Sequence, residues 1–296
     1  MIKKGVYAAG LSVLNSDRTL NIEATIAHAS QAIQSGLHGV FFFGSTGQSQ
    51  LISINEKKEL IAKIASHKLK KQFFLGTGNN SLNENIDLIK YAREYDFKEF
   101  LIMPPAYYKG NTDQGVFDFY SALISSIPKI KIILYNFEKL SGYKFSAEAV
   151  TKLVKTYPEN IIGCKDSSYN LFENLKLQNF LMFPGSEAKL LKGLELGCSG
   201  CISAVTNVTH SLAKKVFDDA TAMLDTIAKE LVGMANYQPV TTKAWKGDFN
   251  GDMFDSVIIH LEETNDTRAN TADMLKMLVT QDRHRANVKN LPQKFV

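Results

Sequence analysis

The sequence predicts an α/β protein: a (β/α)8 barrel, the TIM barrel architecture, with a C-terminal helical extension. Three observations carry this expectation. Short apolar runs rich in β-branched and aromatic residues recur eight times along the chain. Their starts are about 20–33 residues apart, the size of one strand-plus-helix unit. Within each run the apolar residues are consecutive, as in strands of a parallel sheet buried on both faces. An open, doubly wound sheet is the rival arrangement, and the count of eight favours the barrel.

In order, the runs are GVYAAGLSV (5–13), GVFFFG (39–44), QFFLGTG (72–78), EFLIMPP (99–105), KIILYNF (131–137), IIGCKD (161–166), FLMFPG (180–185) and GCISAV (200–205). Length and composition make each a strand. Helix-period sequence lies between them. Ser53 with Glu56, and Ser81 with Glu84, fit the capping box, in which serine and glutamate satisfy orphan backbone donors at a helix start. Thr112 and Ser146 fit as caps of two further helices. Gly36 and Gly197 stand where helices should stop. Beyond about residue 206 only helix-like segments remain, more than a last barrel helix requires. The expected organisation is a barrel catalytic domain over 1–220 and a helical extension packed on it over 221–296, with no linker.

Composition narrows the function classes. The chain has 296 residues, 45% hydrophobic and 22% charged, which fits an ordinary globular protein. Net charge is +4, spread along the chain, and KLKK (68–71) reads as a solvated helix end, so no nucleic-acid partner is expected. No run approaches the ~18 apolar residues of a membrane helix. The basic N-terminus is followed by a broken apolar stretch, interrupted at Asn15, Ser16 and Asp17, so no signal peptide is read. Three cysteines, odd in number and few for the length, point to a reducing compartment and a cytoplasmic protein.

In a barrel, chemistry sits at the C-terminal ends of the strands. Run two ends in Gly44, Ser45, Thr46 and Gly47; run four leads to Tyr107, Tyr108 and Lys109; run five ends in Tyr135 and Asn136, run six in Lys165 and Asp166, and run seven in Gly185, Ser186 and Glu187. Reactive groups from distant parts of the chain thus converge on one rim. Lys165 is the sharpest of them. Burial disfavours an ammonium, and a neutral amine attacks a ketone to give a Schiff base. The plainer reading is a lysine paired with Asp166 or another carboxylate. Tyr135 is a proton carrier or, more plainly, a core tyrosine with a satisfied hydroxyl. Residues 44–47 offer an anion nest or simply a turn.

Other motifs fail. Gly76 and Gly78 lack the third glycine of a dinucleotide fingerprint, and the lysine ending of a phosphate-binding loop is missing. Residues 197–200 miss a serine nucleophile elbow by one position. Cys198 and Cys201 enter a strand, whereas a redox pair wants a helix N-terminus, and no histidine pair completes a metal set. No cofactor and no metal are expected.

The segments GSTGQS (44–49), GTGNN (76–80), YYK (107–109), YNFEKLSG (135–142), GCKDSS (163–168), GSE (185–187) and GCISAVTN (200–207), in this order and at these strand ends, resemble the dihydrodipicolinate synthase / N-acetylneuraminate lyase family. The resemblance implies a class I aldolase on a barrel with extra C-terminal helices. In it Lys165 is the Schiff-base lysine and Tyr135 the proton relay. Ser45 and Thr46 hold the pyruvate carboxylate and join the relay, and Tyr108, with Tyr107 as the alternative, completes it from a neighbouring subunit. Gly185 and Ile202 touch the keto acid through their backbone. Ser186 and Glu187 hold hydroxyls of the second substrate. The family implies a small-molecule substrate and a homo-oligomer, dimer or tetramer.

The departures are specific. Phe137 and Glu138 replace the usual proline after the tyrosine–asparagine pair. Leu140 stands where dihydrodipicolinate synthases carry an arginine for the carboxylate of the aldehyde. The expected activity is reversible cleavage of a 2-keto-3-deoxy sugar acid, or a sialic-acid-like substrate, to pyruvate and an aldehyde. The alternatives are a 4-hydroxy-tetrahydrodipicolinate synthase condensing pyruvate with aspartate semialdehyde, a non-catalytic keto-acid-binding or regulatory protein, and a phosphate-gripping isomerase without a covalent lysine.

Overall fold

The computed structural model describes residues 2–220, and the helical extension expected over 221–296 lies outside the described residues. The strands are β1 (Gly5–Ala9), β2 (Gly39–Phe42), β3 (Phe73–Gly76), β4 (Glu99–Ile102), β5 (Lys131–Asn136), β6 (Ile161–Asp166), β7 (Leu181–Pro184) and β8 (Gly200–Ser203). They form one sheet in the order β7-β6-β5-β4-β3-β2-β1-β8, with every ladder parallel. The Ser199 N–H donates to the Met182 carbonyl at 2.7 Å and joins the two ends. The expected barrel is therefore the observed one.

The helices are α1 (Ile22–Gln34), α2 (Ile54–Ala65), α3 (Leu82–Glu94), α4 (Asp113–Ser126), α5 (Glu138–Ser141), α6 (Ala147–Thr156), α7 (Leu190–Glu195) and α8 (His210–Asp218). Ser53 forms the full capping box with Glu56. At Ser81 only the serine half forms, its hydroxyl accepting from the Glu84 N–H at 3.3 Å. Thr112 and Ser146 cap α4 and α6 as expected. Gly36 (φ 115°) and Gly197 (φ 82°) follow α1 and α7 in the region that favours glycine.

Two expectations need correction. No helix separates β6 from β7. The Asp166 carboxylate instead takes the Leu171 and Phe172 N–H groups at 2.8 and 2.9 Å and holds that segment as a series of turns. Several apolar runs also outlast their strands. Leu11 and Phe43 lie past the last ladder residues yet remain 2% exposed, so burial rather than strand pairing keeps them apolar.

Alternation along each strand sorts the core into two layers. Val6, Ala8, Val40, Phe42, Leu134 and Cys164 face the helices. Tyr7, Ala9, Phe41, Phe74, Leu101, Ile133, Tyr135, Phe183 and Ile202 fill the barrel. Inside, the Tyr7 ring meets Phe41, Phe74 and Phe183 edge-on at 5.7, 5.6 and 5.8 Å between centroids. Such pairs add about 0.5–1.5 kcal/mol each beyond area burial. The Tyr7 hydroxyl donates to the Lys3 carbonyl at 2.8 Å, and burial pushes its pKa up to about 12. The middle of the barrel is thus a packed aromatic plug.

Candidate active site

Lys165 shares the inward parity of β6, because Cys164 faces the helices. The side chain is 1% exposed. Among the described residues its Nζ makes no hydrogen bond or ion pair; it sits 4.4 Å from the centroid of the Tyr135 ring. The pairing with Asp166 does not form. Asp166, fully buried, accepts from Asn136 Nδ2 at 2.8 Å and from the Ser168, Leu171 and Phe172 N–H groups at 3.2, 2.8 and 2.9 Å. A carboxylate with four donors has its lone pairs committed, and it anchors the strand end beside the lysine.

Tyr135 stands directly opposite Lys165 in the β5–β6 ladder. Its hydroxyl lies 2.8 Å from Ser45 Oγ. Ser45 belongs to a tight turn after β2, closed by the Gln48 N–H on the Ser45 carbonyl at 2.9 Å. Two non-glycine residues there have positive φ, Phe43 (61°) and Gln48 (49°). Thr46 is buried in the same turn. A Cβ on Gly47 would come within 2.8 Å of the Gly10 carbonyl oxygen, so only glycine lets the β1 loop pass this close. Lys165, Tyr135 and Ser45 therefore form one chain of contacts, from β6, β5 and the turn after β2.

The remaining expected residues are spread wider. A Cβ on Gly185 would stand 2.0 Å from Ser167 Oγ, and the Gly185 N–H donates to the Asp166 carbonyl at 2.9 Å. The Ser186 hydroxyl caps the short turn that follows, accepting from the Ala188 N–H at 3.3 Å. Glu187 is buried and accepts a hydrogen bond from the Ser203 hydroxyl; burial holds its carboxyl above the usual carboxylate range. Ile202 is wholly buried on β8. Tyr108 is not brought to Tyr135 in its own chain: it is 81% exposed and packs edge-on against Tyr107, itself 79% exposed, at 5.1 Å.

A cavity of about 150 Å³ opens beside Tyr135, with Ser45, Gln48, Ser49, Met103 and Leu140 among its walls. Tyr135 links it to Lys165, which is not itself a lining residue, nor are Ser186 and Glu187. Leu140 reaches it from α5, so the wall is apolar where the resemblance would place an arginine. Two lining groups escaped the sequence reading. Gln48 and Ser49 are buried, and among the described residues neither the Gln48 carboxamide nor the Ser49 hydroxyl has a hydrogen-bond partner. Nothing in a lone glutamine after a glycine turn signals this.

Lys57 was missed too. Its ammonium, buried under the loop after β3, donates to the Thr77 and Gly78 carbonyls at 3.1 and 3.3 Å and to Asn79 Oδ1 at 2.6 Å. Burial lowers its pKa to about 8. Its signal was available: Lys57, Leu60, Ile61 and Ile64 share the buried face of α2. Among the described residues no group of three or more histidine, cysteine or carboxylate side chains could hold a metal ion. The three cysteines are free thiols.

A family profile described as the dihydrodipicolinate synthetase family matches residues 3–238. An uncharacterized DapA-like lyase of Chloroflexus aurantiacus is 27% identical over 222 residues, covering 73% of this chain and 74% of that protein. The 4-hydroxy-tetrahydrodipicolinate synthase of Methanococcoides burtonii is 30% identical over 211 residues, covering 69% and 71%. Among solved structures, dihydrodipicolinate synthase from Agrobacterium tumefaciens superimposes with a TM-score of 0.74 at 25% identity, over 90% of each chain. A catalytic lysine mutant of Ruminococcus gnavus sialic acid aldolase gives 0.76 at 17% identity, over 90% of this chain and 86% of that one, a likeness of fold alone.

Proposed function

The chain belongs to the dihydrodipicolinate synthetase family, and from that premise we propose that it is a pyruvate-dependent class I aldolase that reversibly cleaves a 2-keto-3-deoxy sugar acid to pyruvate and an aldehyde. The observation that carries this reading is the arrangement of Lys165: buried, without an ionic partner among the described residues, and facing Tyr135.

The chemistry follows from that arrangement. Lys165 Nζ adds to the C2 ketone, and loss of water leaves an iminium. The C3–C4 bond then breaks: its electron pair moves into the iminium to give an enamine, and the C4 hydroxyl proton passes to Tyr135 as Tyr135 hands its own proton on through Ser45. The aldehyde leaves, C3 of the enamine takes up a proton, and water releases pyruvate. The 2.8 Å contact between the Tyr135 and Ser45 hydroxyls gives the proton a route. Thr46 joins Ser45 in holding the carboxylate, with backbone support from Gly185 and Ile202. Ser186 and Glu187 serve hydroxyls of the aldehyde half. Tyr108, displayed to solvent, completes the relay of a neighbouring copy in a homo-oligomer, dimer or tetramer. We place the protein in the cytoplasm, in keeping with its unpaired, buried thiols.

The second reading is a 4-hydroxy-tetrahydrodipicolinate synthase, the name borne by relatives at 28–30% identity. Leu140 in the cavity wall counts against it, because among the described residues an aldehyde ending in a carboxylate meets no cation in that wall. The test is to incubate the protein with pyruvate, reduce with borohydride and map the adduct. Modification of Lys165, with pyruvate release from 2-keto-3-deoxy acids, supports the aldolase; an unmodified Lys165 overturns it. Faster turnover of aspartate semialdehyde than of sugar-derived aldehydes favours the second reading.

A further inference from the structure

Gln48 has the wrong surroundings for a structural side chain. It is 6% exposed, yet among the described residues neither its Nε2 nor its Oε1 has a hydrogen-bond partner, and the neighbouring Ser49 Oγ, on a residue 2% exposed, has none either. Burying a polar group without a partner is costly, because the water it gives up is not replaced. The backbone there is fixed at the same time. Gln48 holds a left-handed conformation at φ 49°, its N–H donates to the Ser45 carbonyl at 2.9 Å, and its carbonyl accepts from the Leu51 N–H at 2.8 Å. The chain therefore accepts an unusual conformation and unpaired polar atoms at one residue, and that residue lines the cavity shared with Ser45 and Tyr135.

A carboxamide offers two donors and one acceptor, and a serine hydroxyl offers both. This set matches an alcohol, which donates and accepts at one atom. A carboxylate would use the donors but leave the Gln48 Oε1 acceptor unpaired, and among the described residues it finds Leu140 in place of a cation. Resting on the aldolase reading, we propose that Gln48, seconded by Ser49, determines specificity by hydrogen-bonding a hydroxyl on the aldehyde half of the substrate, so that this enzyme selects neutral polyhydroxy aldehydes. The unpaired atoms are what gives selectivity: a substrate lacking the hydroxyl leaves them buried without partners, and sites of this kind discriminate strongly.

The test compares condensation of pyruvate with glyceraldehyde and with propanal, read as the ratio of kcat/KM values. The wild-type protein should prefer glyceraldehyde by at least about tenfold. Gln48→Met, matched in length but without the amide, should narrow that ratio by about tenfold. Ser49→Ala should narrow it less; its hydroxyl has no partner to lose, so this variant folds even where Gln48→Met does not. A wild-type ratio near one, or a ratio unchanged in the variants, overturns the proposal, as does an equal loss for both aldehydes, which marks a purely structural residue. Borohydride trapping of pyruvate on wild-type Lys165 is read in parallel. Trapping with no hydroxyl preference removes the role of Gln48 and leaves the aldolase standing; no trapping removes both.

Discussion

Lys57 and Lys165 are each 1% exposed, and they end in opposite surroundings. Lys57 closes on three oxygen acceptors and secures the loop after β3. Lys165 meets the face of a tyrosine ring and no acceptor among the described residues. Burial alone therefore says little about what a lysine does. An amine whose protons are all committed is a clasp. One that faces a π-cloud next to a hydroxyl pair keeps its nitrogen available for bond formation.

Substituting each lysine by the shape-matched Met should separate the two roles. Lys165→Met should lower aldol turnover by about 10⁴-fold or more, since a nucleophile has no substitute. Its unfolding free energy should stay within about 1 kcal/mol of wild type, because no acceptor is orphaned. Denaturant titration beside a pyruvate-release assay reads both. Tyr135→Phe should cost about 10²–10³-fold in kcat while leaving pyruvate trapping detectable, which separates proton transfer from Schiff-base formation. Lys57→Met should do the reverse of Lys165→Met and destabilise the protein by about 1–3 kcal/mol, because it leaves the buried Thr77 carbonyl and the part-buried Gly78 carbonyl and Asn79 Oδ1 without this donor.

Two smaller effects sharpen the contrast. The folded protein holds Lys57 at a pKa of about 8, below the ordinary 10.5. The unfolded chain therefore binds more protons between these values, and stability should rise with pH across that window. The rise should vanish in Lys57→Met; a wild-type midpoint that is flat or falling relative to that variant between pH 8 and 10 would count against the buried clasp. Leu140→Arg should bring measurable use of aspartate semialdehyde where the wild type shows little, a gain of about tenfold. No gain would place the carboxylate end of that substrate elsewhere.

The strands were legible because consecutive apolar residues leave few alternatives, and Lys165 and Tyr135 were legible because a polar residue ending such a run is conspicuous. Ser45 was legible as part of a glycine-bracketed turn. The β6–β7 segment was misread because its side chains allow a helix, and only the Asp166 carboxylate, acting across the turn, redirects its N–H groups. Gln48 and Lys57 stayed hidden for a related reason. Each owes its environment to elements that meet only in the folded barrel: Gln48 to walls from the loops after several strands, Lys57 to carbonyls about twenty residues downstream. Tyr108 is exposed in its own chain, and the role proposed for it in a neighbouring copy has no signal in one sequence.

Asp166 carries a last consequence. Because four donors from β5 and the turn after β6 grip its carboxylate, Lys165 is positioned by its own strand and not by the loop at residues 137–142. Such an anchor makes the position of this lysine independent of that loop. Residues 137–142 can therefore be rewritten to reshape the cavity wall that Leu140 forms while the Lys165 nitrogen stays in place.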